Sequence, residues 1–190
     1  IVNPQQKDDH FPSKHCAGVG VIFYLMLALR QYLREQHWFE QSMTAVPSKS
    51  QFLDLVALGT VADLVTLDHN NRLLVSQGLQ WIKSGKARPG IYALLKLAKR
   101  DVDHLIASDL SFNVAPRLNA AGRLADMSLG VACLLENDLN RAHEMALQLS
   151  QLNEQRRSIE ETMKREAFLI LEKLIEKQRL EKGICLFDAR

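Results

Sequence analysis

The sequence has little of what staples a chain, spans a membrane or breaks a helix. Three cysteines occur in 190 residues, Cys16, Cys133 and Cys185, far apart and each in an apolar context. The odd count and wide spacing argue against a disulfide framework and a zinc site, and point to a reducing cytoplasm. The longest unbroken apolar run, Ala17 to Leu29, is 13 residues. A membrane span needs about 20, so no transmembrane segment is expected. No signal peptide is expected either, because the first apolar stretch follows a polar start and lacks a cleavage site. Nothing resembles a Ser-His-Asp or Cys-His nucleophile arrangement, a P-loop or a dinucleotide fingerprint. The last proline is Pro116, and no glycine falls between Gly130 and Gly183.

What is present is ordinary for a folded soluble protein: 47% apolar and 24% charged residues, which excludes disorder along the whole chain. The net charge of +2 says little, but its distribution says more. Between Asn70 and Arg100 stand Arg72, Lys83, Lys86, Arg88, Lys96, Lys99 and Arg100, with no Asp or Glu. Such a stretch either follows a phosphate backbone or forms a solvated surface balanced by acids elsewhere in the fold.

Periodicity predicts a mainly helical chain. Ser13 is a candidate cap for a helix through the 20s and into the 30s, built on Val21, Leu25, Ala28, Leu29 and Tyr32. Gly18 and Gly20 at its start suggest close approach by another backbone or a ligand. The apolar run from Leu53 to Leu58 reads as helix or buried strand; its period does not decide. A helix from Asn71 to Lys83 is expected to stop at Gly85, and Pro89 to start another over Gly90 to Arg100. From Leu139 to about Gln178 the chain is rich in helix formers, with Asp138 as a candidate N-cap. Its apolar positions, from Ala142 and Met145 to Ile170 and Leu174, recur at spacings of three, four or seven. Such a helix would be roughly 60 Å long, so part of it crosses between domains or lies on a partner. The seam is broken at residues 153–157, which favours a connecting helix over a coiled coil. Beyond Gly183 the sequence Ile184-Cys185-Leu186-Phe187 reads as a β-strand just beginning. With Ile1 at the start, the chain is expected to be an internal fragment of something longer.

Three places could carry chemistry. Asp63 lies among small and apolar residues in Gly59-Thr60-Val61-Ala62-Asp63-Leu64-Val65, near Asp54, Asp68 and His69. Asp and His are natural ligands for Mg²⁺ or Mn²⁺, but on these residues alone the favoured reading of Asp63 and of Asp68 is a helix cap. Asp8-Asp9-His10 comes close to an Asp-His-His metal motif, yet sits in a polar run between two prolines and reads as a solvated loop. In Pro116-Arg117-Leu118-Asn119-Ala120-Ala121-Gly122-Arg123-Leu124, two arginines and an asparagine lie among small residues. This is either a phosphate-binding segment or a helix–helix turn with exposed arginines.

Taken together, Phe11-Pro12-Ser13-Lys14 with Ala17-Gly18-Val19-Gly20-Val21, then Leu55 to Asp63, then Pro116 to Leu124, resemble the bacterial RecJ family of the DHH phosphoesterase superfamily. Asn3-Pro4 and Asn71-Arg72 also fit. The resemblance implies a mainly α fragment of an α/β protein: residues 1–138 as the C-terminal part of a DHH domain, 139–178 as a long connecting helix, and 179–190 as the start of a DHHA1 domain. It implies a single-stranded-DNA-specific exonuclease degrading from the 5′ end by metal-dependent phosphodiester hydrolysis, in DNA repair and recombination. Mn²⁺ or Mg²⁺ is implied as cofactor, as two ions in the complete enzyme. Single-stranded DNA is the implied partner, with a single-strand-binding protein and a helicase as further partners.

Asp63 matches the metal-binding aspartate of the family's fourth motif. Arg117, Asn119 and Arg123 would lie along the DNA path. The Asp-His-His motif would lie upstream of Ile1 and is not matched by Asp8-Asp9-His10, so this chain alone is expected to be inactive. The alternatives are another DHH phosphoesterase, such as a short-oligonucleotide nuclease or a pyrophosphatase, and a non-catalytic DHH-fold DNA-binding scaffold.

Overall fold

The computed structural model describes residues 2–176 and 184–187. Among these the architecture is helical, with no strand. The helices are α1 (Gly18–Glu35), α2 (Trp38–Gln41), α3 (Leu53–Ala62), α4 (His69–Lys83), α5 (Pro89–Leu97), α6 (Ala107–Asp109), α7 (Ala115–Leu124), α8 (Ser128–Leu135) and α9 (Leu139–Glu176). A π-helical segment, Leu110–Val114, joins α6 to α7.

The centre of the fold is α3, so the ambiguous run at Leu53 is a helix. It buries Asp54, Val56, Ala57, Leu58, Thr60 and Val61. Helix α4 lies against it closely enough that a Cβ on Gly78 would collide with the Leu53 carbonyl and Ala57. The main core joins Leu58 and Val61 to Ile82, Ile91, Leu94, Leu95, Leu110, Val114 and Leu149. Burying side chains of this size stabilises by about 1.5–3 kcal/mol each.

The helix ends follow backbone chemistry more than residue type. Gly85 takes a left-handed conformation (φ 77°) after α4, and its N–H bonds the Ile82 carbonyl at 3.1 Å. Helix α5 stops at Leu97, three residues short of the expected Arg100. Lys99 turns left-handed (φ 55°), and the Lys99 and Arg100 N–H groups bond back to Lys96 and Leu95 at 3.0 Å each. This is the Schellman closure, made here without glycine.

Helix α1 differs from expectation in two ways. Ser13 does not cap it; the helix starts at Gly18 with no side-chain cap. The face chosen from the spacing is also the open one: Leu25, Leu29 and Tyr32 are 47%, 52% and 58% exposed. The packed face carries Gly20 and Phe23, with Phe23, Val56 and Leu74 forming a second small core. The helix is apolar nearly all round, so periodicity could not choose the face. Contact at Gly59 did, because a Cβ there would meet Val19. Of the two glycines at its start, Gly20 is closely approached by Cys16, while Gly18 faces open space.

Helix α9 is continuous through Asn153 and runs for 38 residues, about 57 Å at 1.5 Å per residue. Asp138 caps it as expected, its carboxylate accepting the Asn140 and Arg141 N–H groups at 2.9 Å. Ala142, Ala146, Leu149 and Asn153 are buried. Beyond Asn153 none of its described side chains is buried. The expected end near Gln178 lies outside the described residues. So do Gly183 and residues 188–190 of the expected strand, while residues 184–187 adopt no regular secondary structure.

Candidate metal and nucleic-acid site

Asp63 is the residue immediately after α3. Its N–H bonds the Gly59 carbonyl at 3.0 Å, and Leu64 then turns left-handed (φ 53°). The Val61 carbonyl accepts twice, from the Leu64 N–H at 3.4 Å and from the Ser111 hydroxyl at 3.0 Å. The π-helical segment is thereby tied to the turn that carries Asp63. The carboxylate is exposed, and no cation pairs with it among the described residues. It also stands at the negative pole of α3, where a helix favours cations and disfavours a carboxylate. Asp63 therefore caps no helix N-terminus, and its position suits a carboxylate that receives a positive charge.

The other acids near it are occupied. Asp54 is buried and accepts from the Arg88 guanidinium, from the Arg88 N–H at 3.0 Å and from the Leu55 N–H at 2.8 Å. Asp68 caps α4 through the Asn71 N–H at 2.9 Å and accepts the Ser13 hydroxyl at 2.7 Å. The Asn71 N–H, followed by lesser contributions including the Ser13 hydroxyl, holds the Asp68 carboxyl below its ordinary value. His69 is exposed at the first position of α4. Asp9 accepts the Phe11 N–H at 2.7 Å and the Lys14 ammonium at 3.2 Å, so the Asp8-Asp9-His10 stretch is an exposed, locally bonded loop. Among the described residues no group of three or more His, Cys, Asp or Glu side chains converges. A divalent ion takes about six ligands; this chain's described residues do not hold one unaided, and Asp63 supplies a single carboxylate.

The Pro116–Leu124 motif is a helix and not a turn, falling within α7. Its three polar residues do not share a face, since positions 117 and 119 lie some 200° apart on a helix. Asn119 and Arg123, one turn apart, are both exposed. Arg117 is half-buried and turned inward: its Nε donates to the Ser150 hydroxyl on α9 at 3.1 Å, and Nη1 donates to the Asn113 carbonyl. Burial first, and then Arg157, lowers its pKa. The small residues Ala120 and Ala121 are fully buried, so their smallness serves helix packing and not ligand approach. In the basic stretch, Arg88 is bound to Asp54, Arg100 pairs with Asp109 at 3.3 Å, and the Lys86 ammonium lies over the Trp81 ring. Part of the excess is thus balanced inside the fold.

Other motif residues prove to be clamps. The Lys14 ammonium gathers the Pro4 carbonyl at 2.8 Å and the Asp9 carbonyl. The fully buried Asn71 amide donates to the His15 and Thr66 carbonyls at 2.9 and 2.8 Å. Sequence reasoning missed Asn71, Lys14 and Ser111 as tie points, because single polar residues in such settings carry no periodic signal.

No protein-family model matches the chain. Known proteins do. The single-stranded-DNA-specific exonuclease RecJ of Escherichia coli K12 is 54% identical over 189 residues, covering 98% of this chain and 33% of the relative. The RecJ of Bacillus subtilis 168 is 35% identical over 182 residues, covering 96% of this chain and 21% of the relative. Crystal structures of RecJ from Thermus thermophilus with Mg²⁺ and with Mn²⁺ superpose at TM-scores of 0.65 and 0.67, with 30% and 29% identity. Each match covers 86% of this chain and under a quarter of the other. The chain thus spans between a fifth and a third of the length of these curated relatives. Over that span, in sequence and in fold alike, it belongs to the RecJ family.

Proposed function

We propose that the chain is one part of a single-stranded-DNA-specific exonuclease that degrades from the 5′ end by metal-dependent phosphodiester hydrolysis. The observation that carries this reading is Asp63, exposed and without a cation partner among the described residues, at the C-terminal pole of α3, on a turn tied through Ser111 to the segment leading into α7. In this reading Asp63 gives one oxygen ligand to a Mn²⁺ or Mg²⁺ ion, and the remaining ligands come from outside the described residues. Bound there, the ion would neutralise charge building on the scissile phosphate and activate a water.

Asn119 and Arg123 hold DNA phosphates from the open face of α7. Arg117 acts as a positioning residue, fixing α7 to α9 and to the π-helical segment. Residues 1–138 form the C-terminal part of a DHH domain, 139–178 the connecting helix, and 179–190 the start of a DHHA1 domain. The buried first half of α9 and its unburied second half support that division. DNA repair and recombination in the cytoplasm, beside a single-strand-binding protein and a helicase, complete the reading.

The test compares the full-length protein with residues 1–190 alone on 5′-labelled single-stranded DNA with excess Mn²⁺. Mononucleotide release by the full-length protein and none by the fragment is expected, since one carboxylate does not hold two ions against water. Chelator-sensitive release by the fragment would show the active site to be elsewhere, with Asp8, Asp9 and His10 the next candidates.

A further inference from the structure

The π-helical segment Leu110–Val114 is held on every side but one. Leu110 and Val114 are fully buried in the main core. Ser111 is tied to the Val61 carbonyl, two residues before Asp63. The Asn113 carbonyl accepts Arg117, and its side-chain oxygen accepts Arg100 at 3.4 Å. Between these anchors Phe112 is 66% exposed. Several other rings have partners: Phe11, Phe23 and Tyr24 meet edge to face, as do Trp38 and Phe39, and Phe52 lies under Arg88. No aromatic or cationic group meets Phe112 among the described residues. Insertions of π-helix into α-helices are frequent at functional sites. Here the insertion holds an aromatic ring in the open on a rigid backbone, one residue from the Ser111 tie.

We propose that Phe112 is a stacking platform for a nucleobase of the single strand, positioning the chain beside Asp63. The inference rests on the exonuclease reading above. Single strands are bound by pairing cationic contacts to phosphate with aromatic faces for the bases, and stacking tolerates any sequence because every base has a π-face. Helix α7, which carries Asn119 and Arg123, follows the segment directly. Those side chains supply phosphate contacts, and Phe112 supplies the base contact.

The experiment uses the full-length protein and 5′-labelled oligonucleotides, either intact or with one abasic residue placed at successive positions from the 5′ end. For the wild type, one abasic position is expected to lower kcat/KM by about 5- to 150-fold, the range of one stacked base. Phe112→Ala should show that loss on intact DNA and no further loss at the abasic position, while Phe112→Tyr restores wild-type behaviour. Wild-type rates from Phe112→Ala, or an abasic penalty that survives in it, would overturn the platform. Failure of the wild type to degrade single strands at all would instead overturn the exonuclease reading. Should Phe112→Ala not fold, Phe112→Trp decides. With chelator present, its emission beyond the wild-type background is expected to be that of a solvent-exposed indole and to be quenched by oligo(dT). A buried-type emission, or no quenching at saturating oligo(dT), would overturn the proposal.

Discussion

The two ends of α3 carry the same side chain in opposite circumstances. At the N-terminal end Asp54 is 1% exposed and accepts three hydrogen bonds, two of them from Arg88. At the C-terminal end Asp63 is exposed, at the wrong pole of the helix, with no cation beside it among the described residues. A carboxylate that is buried must have its partners built in, since desolvating a charge costs several kcal/mol. A carboxylate kept in water at the C-terminal pole of a helix gains nothing from the helix dipole. The contrast separates two uses of one residue type: the matched carboxylate ties α3 into the fold, and the uncompensated one is where the proposed reading puts the ion.

The largest effect tests the bare end. Asp63→Ala in the full-length protein is expected to lower Mn²⁺-dependent exonuclease activity by roughly 100-fold or more, the scale of losing one electrostatic contributor to an active site. The thermal midpoint should stay close to wild type. Appreciable residual activity would remove the contrast. The matched end should behave in reverse. Asp54→Ala strands the Arg88 guanidinium, whose side chain keeps 20% exposure, so the cost should fall near the lower limit of the buried-pair range, about 3 kcal/mol. Urea unfolding measures it. Asp54→Asn keeps hydrogen-bonding groups and should cost less. Equal losses for Ala and Asn would mean that the charge itself, and not the bonds, holds α5 against α3.

The same contrast marks how far the sequence could be read. Helices α4 and α9 were legible because their signals are local: Asp68 and Asp138 as caps, Gly85 as a stop, and an unbroken run of helix formers. The face of α1 was not, because an apolar surface nearly all round leaves the choice to neighbours distant in sequence, Gly59 above all. The stop of α5 was hidden because Lys99, not glycine, takes the left-handed turn. Asp63 was visible as a lone acid in an apolar motif, but its place after α3, and not before a helix, appears only in three dimensions. Arg117 and Arg123 look alike in sequence. They separate only when helical geometry turns one toward Ser150 and leaves the other open.

That separation gives the next prediction. Arg123→Ala should reduce the salt dependence of single-strand binding by about 0.7 in log–log slope, one phosphate contact on a single strand. Arg117→Ala should leave the slope nearly unchanged and instead cost about 1.5–3 kcal/mol, the range for hydrogen bonds to a charged group. Fluorescence anisotropy across a salt series, beside urea unfolding, reads both. Equal slope changes would place both arginines on the DNA and end the distinction.

The smallest effect concerns Asp68, a carboxylate intermediate between the two ends of α3. It is partly exposed, yet satisfied by the Asn71 N–H and the Ser13 hydroxyl. Asp68→Ala should cost about 1 kcal/mol, the usual worth of an N-cap, with a further contribution from loosening the Ser13 loop. Its pH dependence has a defined sign. The folded carboxyl titrates below its ordinary value of 3.8, mainly because the Asn71 N–H bonds the ionised form. The unfolded state then binds the proton more readily, so the stabilisation is complete above the unfolded value and is lost as pH falls through the folded one. The difference in stability between wild type and Asp68→Asn should therefore be constant from neutral pH to about 5 and shrink below about 4. Urea titrations at stepped pH measure it. A difference that grows on acidification would mean that Asp68 is stabilised as the protonated acid, and that the cap seen at α4 does not depend on charge.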